Sequence, residues 1–255
     1  PRAGGWQPDL NPLRKERPGA MHLPYPIVAT LRIAALSYLG CVACCAIFQR
    51  RMIYHPSRVA PGDLLAQAQQ VGLQPWRNAG GELIGWRMPA AAPGAPRALV
   101  LHGNAGHALD RGYFAEGFRA LDPPWETLLL EYPGYGARAG RPSEPSIRAA
   151  VEDALHSLPT DGRPLIVVGE SLGTGAAAAL AGRHPDRVAG LLLVTPFLNL
   201  ADVGRRHYPF FPVRLMLRER YDSRAALRHY RGPAAFLLAD HDEVVSAESG
   251  RLLYE

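Results

Sequence analysis

The sequence predicts an α/β fold, a mostly parallel sheet with helices on both faces, and two observations carry that prediction. Six short apolar runs, at 82–88, 98–101, 127–130, 165–168, 191–194 and 234–238, have the length of strands buried on both sides. Helical stretches separate them, among them Ile147, Val151, Leu155 and Leu158 on one face and the alanine-rich run 174–181. At 255 residues, 47% hydrophobic and 20% charged, the chain is globular in composition and long enough for one sizeable domain. No internal repeat is visible.

Residues 1–26 are rich in Pro, Gly and Arg without apolar periodicity, and they are expected to be a disordered or non-native segment with Met21 as the true start. From 27 to 48 the chain reads IVATLRIAALSYLGCVACCAIF, with Arg32 as its one charge and Gln49, Arg50 and Arg51 directly after it. Twenty-two residues at 1.5 Å each match a hydrocarbon core of roughly 30 Å, so a transmembrane anchor is expected. A cleaved signal peptide and a buried core helix are the competing readings, and a core helix would show a polar face. Residues 49–79 form a linker and the first elements, including a short helix at 63–71 ended by Gly72, and 80–255 form the main domain.

Composition excludes several function classes. The formal charge of +5 comes almost wholly from arginine, with Lys15 the one lysine, and no run of like charges accompanies it. Nucleic-acid binding is therefore not expected. Cys41, Cys44 and Cys45 all fall in the apolar segment, which rules out a disulfide scaffold, and their spacing lacks the paired ligands of a zinc site. No metal or other cofactor is expected.

Three motifs carry chemistry. Gly169-Glu170-Ser171-Leu172-Gly173 sits between a strand and a helical run, matching G-x-S-x-G, the turn that lifts a nucleophilic serine clear of a sheet. His102-Gly103-Asn104-Ala105-Gly106 follows the strand at 98–101. Acyl transfer needs two backbone N–H groups aimed at the oxygen that becomes negative, and Asn104 and Leu172 occupy the positions that would supply them. Ala239-Asp240-His241-Asp242-Glu243-Val244-Val245 follows the last strand and places a carboxylate where the fold keeps the residue that orients a catalytic histidine. Asp242 fits that pattern better than Asp240.

Together with Glu131-Tyr132-Pro133-Gly134-Tyr135-Gly136, Arg141-Pro142-Ser143-Glu144 and Thr195-Pro196-Phe197, these motifs resemble the Bem46-like branch of the α/β-hydrolase superfamily. The similarity extends to the apolar segment followed by Gln49-Arg50-Arg51 and Tyr54-His55-Pro56, and covers about 27–255. It implies the α/β-hydrolase fold and a single-pass membrane serine hydrolase cleaving carboxylic ester or related acyl bonds. The expected partners are a small acyl substrate, lipid-like in one reading, and the membrane through 27–48. Ser171 is the expected nucleophile, Asp242 the acid, and Asn104 and Leu172 the oxyanion hole. In this family the catalytic histidine lies after one further strand, whereas the chain ends thirteen residues beyond Asp242. The expectation is therefore a chain lacking its final strand, helix and histidine. His102 belongs to the oxyanion loop, His241 is adjacent to the acid and should point elsewhere, and His55, His184, His207 and His229 sit at unsuitable chain positions.

Between 197 and 233 an insertion with eight arginines, Tyr208-Pro209-Phe210-Phe211-Pro212 and an apolar Leu215-Met216-Leu217 is expected to form a small lid. Two other readings use the same residues: a non-catalytic binding protein on this fold, and an acyltransferase sharing the serine.

Overall fold

In a computed structural model of the chain, residues 24–255 are described. The N-terminal segment expected to be disordered or non-native lies outside the described residues over 1–23. The chain divides into two units, 1–41 and 42–255. Helix α1, Tyr25–Ile53, extends beyond the expected anchor at both ends and carries exposed apolar side chains at Leu31, Ile33, Leu36 and Leu39. It is the one helix among the described residues long and apolar enough to cross a membrane.

The second unit is built on a seven-stranded sheet: β1 Gln74–Arg77, β2 Leu83–Met88, β3 Arg97–Leu101, β4 Glu126–Leu130, β5 Leu165–Glu170, β6 Gly190–Val194 and β7 Ala234–Leu237. Its spatial order is β1-β2-β4-β3-β5-β6-β7. The pairs β1/β2 and β2/β4 are antiparallel, and from β4 to β7 every pair is parallel. All six expected strands are present to within two residues at either end. The unexpected one, β1, is a short edge strand with Pro75 in it, which broke the sequence signal.

Alternation along the strands assigns the two faces. Leu99, Leu101, Leu128, Leu130 and Val167 point to one apolar cluster, while Val100, Leu129 and Val168 point to another. The first is covered by α4 Glu144–Ser157 and α5 Leu172–Arg183, the second by α2 Pro61–Gln70 and α3 Gly112–Arg119. The expected face of α4 holds: Ile147, Val151 and Leu155 are buried. Ser143 caps its N-terminus, its hydroxyl accepting from Ser146 N at 3.1 Å.

The insertion expected as a lid over 197–233 divides in two. Helices α6 Leu200–His207 and α7 Val213–Met216 lie at the carboxyl end of the sheet beside Phe197 and Leu172. The later part, with Tyr221, Tyr230 and helix α8 Ser223–Leu227, packs into the core against α5. A side chain at Gly182 of α5 would collide with the Ala226 carbonyl, so that glycine is what lets α8 approach. The chain closes with α9, Ala247–Tyr254.

Candidate active site

The candidate nucleophile sits on a strained turn at the centre of the sheet. β5 ends at Glu170, α5 begins at Leu172, and the single residue between them, Ser171, takes φ 49° and ψ −115°. A side chain at positive φ costs of order 1–3 kcal/mol, so the surroundings must hold it. Ser171 N donates to Val194 O at 2.9 Å, and Ser171 O accepts from Thr174 N at 2.9 Å and Thr174 Oγ1 at 2.6 Å. The flanking glycines answer a separate need. A Cβ on Gly173 would overlap the carbonyl oxygens of Leu101 and His102, and one on Gly169 would lie 2.7 Å from Gly173 O and Thr174 Cα. Only glycine at both positions lets α5 start against β3.

The loop after β3 is locked from below. His102 is buried against the Tyr132 ring at 3.9 Å between centroids, and its Nδ1 donates to Gly103 O at 2.8 Å. In a trans peptide the N–H points opposite the C=O, so holding the Gly103 carbonyl fixes the direction of the Asn104 N–H. The Asn104 carbonyl accepts from His55 N at 2.8 Å and Tyr135 Oη at 2.7 Å, and its Nδ2 donates to Ile53 O at 2.9 Å. The Leu172 N–H belongs to the first turn of α5, where amides lack intrahelical acceptors. Asn104, Ser171 and Leu172 all line one cavity.

A carboxylate braces the loop against the elbow. Glu170 receives Arg111 Nη2 at 2.8 Å, Arg111 Nε at 3.2 Å and Tyr113 Oη at 2.5 Å, and Arg111 also donates to Ala105 O at 3.3 Å. Burial pushes the Glu170 carboxyl up, but the hydrogen bonds from Arg111 and Tyr113 and the guanidinium charge outweigh it, leaving the group below its ordinary range. Burial likewise opposes the Arg111 charge, and pairing with Glu170 more than offsets it.

The acid turn follows β7. Asp242 Oδ1 accepts from Val244 N at 2.8 Å and Val245 N at 2.9 Å, so the turn itself holds the carboxylate. Asp240 is instead paired with Arg251 of α9 at 3.0 Å. Among the described residues no histidine is hydrogen-bonded to Asp242. Two histidines set aside on chain position, His55 and His207, line the same cavity as Ser171. Their Nε2 atoms lie 3.1 Å from Met52 O and 3.0 Å from Val244 O. A carbonyl only accepts, so Nε2 is the donor in both rings and the neutral form keeps its lone pair on Nδ1.

The cavity above Ser171 has a volume of about 400 Å³ and is mainly apolar, with Phe197, Leu200, Val203 and Phe211 on the insertion side. Another part of its lining was not foreseen: Cys45, Gln49, Met52 and Ile53, the last turns of α1. These turns are tied to the insertion through buried polar groups. The Gln49 amide donates to Met216 O at 3.1 Å and accepts from Arg218 N at 2.7 Å. Glu219, 1% exposed, accepts from Arg50 at 2.7 Å and Tyr54 Oη at 2.6 Å, and also from the Glu144 N–H. Burial, with neighbouring Tyr221 and Glu219, drives the Tyr54 phenol far above its ordinary value, so it stays a donor. The one sequence sign was polar residues following directly on the apolar run.

The family model for the α/β hydrolase fold matches residues 96–223, half of the chain. The chain belongs to the α/β-hydrolase family. It is 34% identical over 230 residues to the uncharacterized protein Rv2307c of Mycobacterium tuberculosis, spanning 87% of this chain and 79% of that one. The lysophosphatidylserine lipase ABHD12 of Rattus norvegicus is 30% identical, across 70% of this chain and 50% of its own length. Protein bem46 of Schizosaccharomyces pombe is also 30% identical, across 62% and 55%. Among solved structures, the Pyrococcus furiosus esterase Pf2001 superposes on this α/β-hydrolase chain with a TM-score of 0.55 at 14% identity, covering 79% of this chain and 82% of that one. At that identity the likeness bears on the fold alone. The resemblance to the Bem46-like branch therefore holds, with bem46 and a lipase among the relatives.

Proposed function

We propose that this chain is a serine hydrolase that cleaves carboxylic ester bonds through an acyl-enzyme. Ser171 Oγ forms a bond to the substrate carbonyl carbon while its proton passes to a histidine oriented by Asp242. The carbonyl oxygen becomes an oxyanion held by the N–H groups of Asn104 and Leu172. The C–O bond to the leaving alcohol breaks, the alcohol takes the proton, and water then releases the carboxylic acid and restores Ser171. Among the described residues no histidine is hydrogen-bonded to Asp242.

The observation that carries this reading is the strained Ser171 backbone between two glycines that admit no side chain, facing a cavity it shares with both oxyanion amides. The relative named a lipase supports the reaction class. We place the protein in a membrane by a single span over 27–48, supported by the length and apolar composition of α1.

The test is hydrolysis of p-nitrophenyl acetate by the full-length gene product and by Ser171→Ala, with hydroxylamine as a competing acceptor. Turnover lost in Ser171→Ala supports the serine route, and turnover unchanged in that variant sinks it. Free acid as the main product identifies a hydrolase; a dominant hydroxamate favours the acyltransferase.

A further inference from the structure

We infer that the last turns of α1, from Cys45 at the end of the proposed membrane span to Ile53, form the acyl-chain wall of the catalytic cavity, with Cys45 setting its far end. The inference rests on the serine-hydrolase reading and adds a specificity determinant to it.

The register of the helix comes first. Cys45, Gln49 and Ile53 recur every four residues and so share one face, and they line the cavity that contains Ser171. Gln49 is buried, and Cys45 and Ile53 are partly buried, whereas Ile47 and Phe48 on other faces are exposed. The Cys45, Gln49 and Ile53 face is therefore packed into the hydrolase unit.

The ends of this wall differ in chemistry. At Ile53 the helix carbonyl accepts from Asn104 Nδ2, so that end adjoins the oxyanion loop where a carbonyl would be attacked. Eight residues back, about 12 Å along the axis at 1.5 Å per residue, stands Cys45, away from any charged group of the site. Between the two the wall is faced by Val203 and Met216 of the insertion. An acyl chain whose carbonyl sits at Asn104 and Leu172 is thus led along the helix toward Cys45.

The wall is also fixed in place. Both ends of the Gln49 amide are used on the 216–218 backbone, and Arg50 and Tyr54 converge on the buried Glu219. A helix serving only as a tether would need none of these bonds.

The experiment compares kcat/KM on p-nitrophenyl acetate, octanoate and palmitate for the full-length gene product and three variants. Cys45→Trp fills the far end and should lower octanoate and palmitate turnover by about tenfold, leaving acetate within about twofold. Cys45→Ala should move the preference toward the longer ester. Ile47→Trp, on an exposed face of the same helix, should leave all three unchanged. Equal effects of Cys45→Trp on every chain length, or none with the protein shown folded, would overturn the inference while acetate hydrolysis left the serine-hydrolase reading standing. Absence of any Ser171-dependent turnover in the wild type would remove that reading itself, and the inference with it.

Discussion

The two ends of the candidate machinery are held in contrasting ways. Ser171 stands above β5, which pairs in parallel with β3 on one side and β6 on the other, and its flanking glycines press against neighbouring backbone. Asp242 follows β7, and its carboxylate is held by two amides of its own turn. The centre is over-determined by packing, so a strained residue persists there. The Asp242 carboxylate is held by amides two and three residues away, so its turn tolerates change in ways the elbow does not.

Substitutions break this comparison in order of size. Gly173→Ala forces a methyl into the carbonyls at the end of β3, and it should cost at least ~3 kcal/mol or prevent folding, read by thermal unfolding and soluble yield. Asp242→Asn keeps the turn's acceptor, so stability should change by less than about 1 kcal/mol while kcat/KM falls by about 10⁴ through the misoriented base. A comparable loss of stability in both variants would erase the contrast drawn here.

Smaller effects sharpen it. Ser171→Gly removes the side chain from a φ of 49° and should stabilise the fold by about 1 kcal/mol, raising Tm by roughly 2–4 °C while abolishing turnover. A fall in Tm would mean the elbow carries no strain. The Glu170 carboxyl lies below its reference value of 4.5 in the folded state, so its contribution is complete above that pH and is lost as the pH falls through the folded value. Glu170→Gln should therefore flatten the acid limb of the stability profile below about pH 4.5 and leave the shape of the profile at neutral pH unchanged, as measured by urea unfolding across pH.

Much of the site was legible because its signals are local. G-x-S-x-G announces its own geometry, the alternating apolar runs located six strands, and D-x-x-V in 242–245 located the acid turn. Local reading failed where the determining contact spans the chain. Pro75 hid β1, and Gly112 and Gly117 hid α3. The Glu219 cluster joins residues about 165 positions apart, which no periodicity reveals. For the same reason the insertion read as one lid, whereas the part from Glu219 onward is core held by Tyr54, Tyr221 and α5.

The central claim is that Ser171 is the attacking group, and covalent trapping tests it most directly. The full-length gene product would be treated with a fluorophosphonate and the adduct mapped by peptide mass spectrometry, with Ser171→Ala as control. The account predicts a single adduct on Ser171 that is absent from the variant. A folded protein that takes up no label, or carries it on another residue, would contradict the account.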